Sequence, residues 1–262
     1  MRAFGAALWT ELLKARRSKV PAVTAAGFAL APLVGGFFMI IAKDPVQAKE
    51  LGLLGAKAQV IIGSPDWATY FGFLAQAMAV GGILLFGLVI SWIFGREFTD
   101  RTVNDWLALP VPRAKVIAAK FVVFSLWCLL LSVMILLIGL AVGAVIGLDG
   151  WTVPVFTRGW GVLLVTTILT ILLMTPVAFV ASIGRGYLAP MGFLILLLVL
   201  AQVLGAIGWG WVFPWSVGGL YAGISGTAHG ALDPLSYWLV VFTGIIGVTM
   251  TFVWWRRADQ IQ

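Results

Sequence analysis

The chain has 262 residues, 61% of them apolar and only 10% charged, with a mean hydropathy of +1.06 and a formal net charge of +7. Soluble domains hold about 45–50% apolar and about 25% charged residues, and disorder needs low hydrophobicity with high net charge. Both are excluded, and the composition describes an integral membrane protein.

The first nineteen residues set Phe4, Leu8, Trp9, Leu12 and Leu13 at helical spacing, with Glu11, Lys14 and Arg17 elsewhere on the wheel. That pattern suits an amphipathic helix lying in the membrane interface; the alternative is a plain basic segment before the first span. Six runs then carry no Asp, Glu, Lys, Arg or His: 20–42, 70–94, 121–147, 160–183, 187–208 and 237–255. A bilayer core of roughly 30 Å needs about 20 apolar residues of helix, so each run is read as a span. Barrel strands are far shorter and alternate. The expected fold is therefore an all-α, polytopic membrane protein with a single transmembrane domain over 1–262. The first apolar run exceeds the length of a signal-peptide core and follows a long basic segment, which argues against a cleaved leader.

Orientation follows from the basic residues. Thirteen of the seventeen Lys and Arg fall in 1–19, 95–120, the 184–186 turn and the tail; Lys43, Lys49, Lys57 and Arg158 fall on the other side. Both termini are expected in the cytoplasm, at the plasma membrane. The positive charge thus reads as a topology signal and not as a nucleic-acid surface.

The loop 95–120 holds five basic residues beside Glu97, Asp100 and Asp105. Its residues 96–109 are expected to form a short helix stopped by Pro110 and Pro112, with a second helix starting at Arg113. Such a helix can dock a cytoplasmic partner, or it can be an ordinary solvated loop. Gly139, Gly143 and Gly147 form a stripe on the third span that permits close helix packing. Thr175-Pro176 and Pro190 interrupt backbone bonding in the fourth and fifth spans, as hinges or as static kinks. The outer segment 209–236 carries Trp209, Trp211, Phe213, Trp215 and Tyr221, which suit either a half-inserted hairpin or an aromatic belt.

Glu97-Phe98, Thr102, Leu107, Pro110, Arg113 and Lys120 resemble the pattern of type-2 ABC exporter permeases, in which E-[FY]-x-x-G-T precedes L-x-x-P-x-x-R and a later Lys. Arg101 stands where that pattern has Gly. Glu11-Leu12-Leu13-Lys14 with Arg17-Ser18-Lys19 resembles the opening of the same family, and Phe213-Pro214-Trp215 resembles its bacitracin- and lantibiotic-resistance branch. The resemblance implies two copies of a separate ABC ATPase, which would bind the ATP and Mg, paired with a permease homodimer. It implies that Arg96, Glu97, Phe98, Asp100, Thr102, Trp106, Pro110 and Arg113 couple to that ATPase, alongside Trp9, Glu11, Lys14 and Arg17 of the N-terminal helix.

The chain itself carries no G-x-x-x-x-G-K-[ST], H-E-x-x-H or C-x-x-C sequence, and His229 is its one histidine. No cofactor, metal or catalytic residue is therefore expected within it. Export of an apolar or amphipathic cargo (peptide antibiotic, drug or lipid) is the expected function. The alternative is a structural or sensory membrane subunit that binds a cytoplasmic partner without transporting.

Overall fold

The computed structural model describes residues 2–44, 64–103, 111–224 and 232–257. Their regular structure is all helical, with only an isolated bridge between Asp66 and Asp149. In chain order the helices are α1 (Arg2–Arg17), α2 (Val20–Lys43), α3 (Trp67–Thr99), α4 (Arg113–Ile146), α5 (Val153–Ile183) and α6 (Leu188–Ala206). A 3-10 turn at Gly210–Val212, α7 (Pro214–Tyr221) and α8 (Pro234–Arg257) follow among the described residues. All but α1 and α7 are long and apolar enough to cross a bilayer, so the six expected spans are present.

Five of the six spans overrun the uncharged runs that marked them, α3, α4 and α5 by the most. α3 continues to Thr99, α4 starts at Arg113 and α5 starts at Val153, so Lys120 and Arg158 lie inside helices. A charge ends a hydropathy run but not a backbone hydrogen-bond ladder, because long side chains reach water or a partner from the end of a span. The helix expected over 96–109 does not begin at Arg96, because α3 runs on to Thr99 before the chain turns. Arg96–Thr99 are the last turn of α3, and 104–110 lie outside the described residues.

α3 and α5 form the centre of the bundle, with Tyr70, Leu74, Met78, Phe86, Leu163, Leu173 and Met174 buried. α8 lies against α5 at a close crossing. A Cβ at Gly247 would stand 2.6 Å from the Thr175 carbonyl carbon and closer still to the Pro176 nitrogen. Pro176 removes the donor that would serve Leu172 O, and the Thr175 hydroxyl lies 3.0 Å from that oxygen and 2.8 Å from Gly244 O on α8. The carbonyl that Pro176 frees in α5 is thus met by the Thr175 hydroxyl.

Pro190 does not match its expected role. It is the third residue of α6, where the backbone N–H has no intrahelical acceptor to lose, so no bond is broken there. The glycine stripe is also divided. Gly139 and Gly143 admit Leu74 and Trp67 of α3, whereas Gly147 ends α4 in the left-handed conformation (φ 67°). Lys43 of α2 donates to Ile146 O and Gly147 O at 2.8 and 2.6 Å, closing that helix end.

The described part of 209–236 turns back among the spans. Ser216 of α7 donates to Ala201 O of α6 at 3.0 Å. Val217 is buried, and a Cβ at Gly218 would stand 3.9 Å from the Thr170 hydroxyl of α5. Thr170 lies ten residues into the run 160–183, so α7 packs beside the middle of α5, while Trp209 and Trp211 stay exposed. His229 lies outside the described residues.

Candidate coupling site at the basic end

The ionic chemistry of the bundle gathers at the end formed by α1, the end of α3 and the start of α4. Lys120 of α4 is 1% exposed. Its ammonium donates to Glu11 Oε2 at 3.1 Å, Glu97 Oε1 at 3.1 Å and Ile93 O at 3.0 Å. Lys14 donates to Glu11 Oε1 at 3.0 Å and to Glu97 Oε1 at 2.6 Å. Two carboxylates and two ammoniums thus form a neutral tetrad across three helices, and Lys120 has three acceptors for its three protons.

Local sequence explains how the members converge. Glu11 and Lys14 are one helical turn apart on α1, so both reach the same side. Ala7, one turn before Glu11, is buried on α4 beside Val116 and Ala119, which seats α1. Glu97 is held from below by the loop that follows α3. Thr102 donates from its hydroxyl to Glu97 Oε2 at 2.7 Å and from its backbone to Glu97 O at 2.9 Å. That return requires Arg101 to adopt φ 57°, a left-handed conformation costly for a side chain with Cβ. The family pattern has glycine there, which meets the same requirement without strain.

Burial works against the charged form of Lys14, but the Glu11 and Glu97 carboxylates outweigh it and raise its pKa above the usual 10.5. Lys14 therefore keeps its charge across the physiological range. The tetrad supplies no transfer chemistry. Its physical effect is to make α1, α3 and α4 move as one piece, because separating any pair strands a desolvated charge.

The expected coupling residues divide into three sets. Glu11, Lys14, Glu97 and Thr102 come together around the tetrad, where Glu97 is 1% exposed. Phe98 and Arg113 go to the end of α8. Phe98 packs on Trp254 and Trp255 with centroids 6.1 and 5.6 Å apart, and Arg113 Nη1 donates to Trp255 O at 3.3 Å. Arg96 and Asp100 pair at 3.3 Å on the outer side of α3, with the Arg96 guanidinium 4.9 Å over the Trp92 ring.

Trp9 and Arg17 are exposed, whereas Trp106 and Pro110 lie outside the described residues. Lys120 and Trp255 were not singled out as site residues from the sequence. The signal for Lys120 was its position directly before the uncharged run 121–147, where an ammonium must find a partner. Among the described residues no group of His, Cys, Asp or Glu could hold a metal.

This geometry defines a helical, multi-pass membrane protein with a rigid ionic joint at one end. Residues 7–202, which include the whole tetrad, match the family model described as ABC-2 family transporter protein. The chain belongs to that family. It is similar to the bacitracin transport permease protein BCRB of Bacillus licheniformis, at 26% identity over 179 residues, 68% of this chain and 85% of that protein.

Proposed function

We propose that the chain is the membrane subunit of an ATP-driven exporter, with its basic end in the cytoplasm. Permeases of the ABC-2 family work with ABC ATPase partners. Two ATPase copies would serve a permease homodimer and bind the ATP and Mg. The observation that carries this reading is the buried tetrad Glu11–Lys14–Glu97–Lys120. A push delivered to α1 or to the loop after α3 would be transmitted to α3 and α4 together, since no member can leave without stranding charge.

The cargo is an apolar or amphipathic molecule, of the peptide antibiotic, drug or lipid classes. The six uncharged runs offer a strongly charged cargo no partner at mid-membrane. Similarity to a bacitracin permease favours a peptide antibiotic. The test is to co-express the full chain with candidate ABC ATPases and to measure co-purification and stimulated ATP hydrolysis. Trp106→Ala should weaken both; if it alters neither, the 104–110 stretch has no part in the interface.

A further inference from the structure

A cleft of about 330 Å³ opens at the basic end between α1, α3 and the start of α6. Lys14 and Arg17 line it from α1, Trp92 and Arg96 from α3, and Tyr187 from the turn before α6. Its cations are not equally committed. Lys14 belongs to the tetrad and Arg96 is shared with Asp100, which also lines the cleft. Arg17 is exposed and has no ion-pair partner among the described residues. The cleft thus carries one uncompensated positive charge, together with the hydroxyls of Ser18 and Tyr187 as donors.

The remaining walls are apolar, from Leu13 and the Trp92 ring. Leu188, next to Tyr187, is 90% exposed, so an apolar surface continues from the mouth of the cleft along α6. Trp and Tyr beside cations mark the level where lipid headgroups meet the acyl region. A free phosphate would use the cations and leave the apolar wall idle, whereas a phospholipid would use both.

We propose that this cleft is a binding site for one anionic phospholipid, its phosphate between Arg17 and Arg96 and its acyl chains running along Leu188. Basic pockets between spans on the cytoplasmic side suit such headgroups. The inference rests on the orientation proposed above only for the leaflet, which would be the inner one.

The test is native mass spectrometry of the full chain in detergent with added phosphatidylglycerol or phosphatidylcholine. Phosphatidylglycerol should bind selectively. Arg17→Gln and Arg96→Gln should each weaken it about fivefold and leave phosphatidylcholine unchanged. Arg17 is exposed, so its variant keeps the fold. Arg257→Gln, which removes the same charge at the end of α8, should have no effect.

Equal binding of the two lipids would overturn the site. So would equal weakening by Arg257→Gln, which would indicate diffuse adsorption, or full displacement of the lipid by millimolar inorganic phosphate. Binding is read without an ATPase, so its failure leaves the transport reading standing, and an inactive complex leaves the lipid site standing.

Discussion

Lys120→Met is the most informative single change. It keeps the length and apolar stem of the side chain and removes the ammonium that joins Glu11 and Glu97 at 3.1 Å each. Each contact is worth about 5 kcal/mol at an effective dielectric of 20. The repulsion from Lys14 and the several kcal/mol of desolvation per buried ion offset much of that. What remains after the substitution is two buried carboxylates facing one ammonium, and breaking a buried ionic group in this way costs about 3–5 kcal/mol. Thermal unfolding in detergent, followed by tryptophan fluorescence, should show that loss. Limited trypsin digestion should cut faster at Arg16 and Arg17 as α1 loosens. Adding Glu97→Gln restores charge balance and should recover part of the stability, although Thr102 then loses its charged acceptor. A loss below about 1 kcal/mol, in the range of exposed ion pairs, would refute the buried-joint reasoning.

Three further outcomes are expected. Gly247→Ala should cost about 1–3 kcal/mol, at the upper end because the clash is with the α5 backbone, whereas Gly192→Ala, with open space around it, should be near neutral; unfolding midpoints compare them. Arg101→Gly should leave Glu97 in place and stabilise the turn by about 1 kcal/mol, since a residue with Cβ is strained at φ 57°; a loss of stability would show that the arginine side chain matters more than its backbone. Lys14 has a raised pKa in the folded chain, so its contribution is full below pH 10.5 and is lost only as pH rises through the higher folded value. Protease resistance of α1 should therefore be flat from about pH 6 to 9 and fall above 10.5.

The six spans were legible because a bilayer imposes a length on every crossing helix and excludes charge from it. The same rule hid the ends of the helices. Lys120 lies inside α4, as the helix expected from Arg113 requires, but the apolar run alone does not show that its charge is compensated by Glu11 and Glu97 and not by water. Glu11 and Lys14 were noticed as neighbours on one helix, and Glu97 through a family pattern. Their meeting spans 83 residues for Lys14 with Glu97 and 109 for Lys120 with Glu11. Periodicity reports neighbours three or four residues apart and is silent about such distant pairs. Pro190 was misjudged for a related reason. A proline interrupts a helix only if the helix has already begun, and where α6 begins is set by the tight turn around Arg185, at φ 48°.

If this chain moves cargo when an ATPase pushes on its ionic joint, transport depends on Lys14. The direct measurement is ATP-dependent bacitracin transport in proteoliposomes holding the full chain and the ABC ATPase that co-purifies with it, wild type against Lys14→Met. That variant opens one side of the tetrad while Glu11 and Glu97 keep Lys120. The account predicts transport by the wild type, and by the variant an assembled complex that hydrolyses ATP with transport lowered several-fold. Undiminished transport by the variant would contradict the coupling role of the joint, and no ATP-dependent movement of bacitracin or other amphipathic cargo by the wild type would contradict the export reading itself.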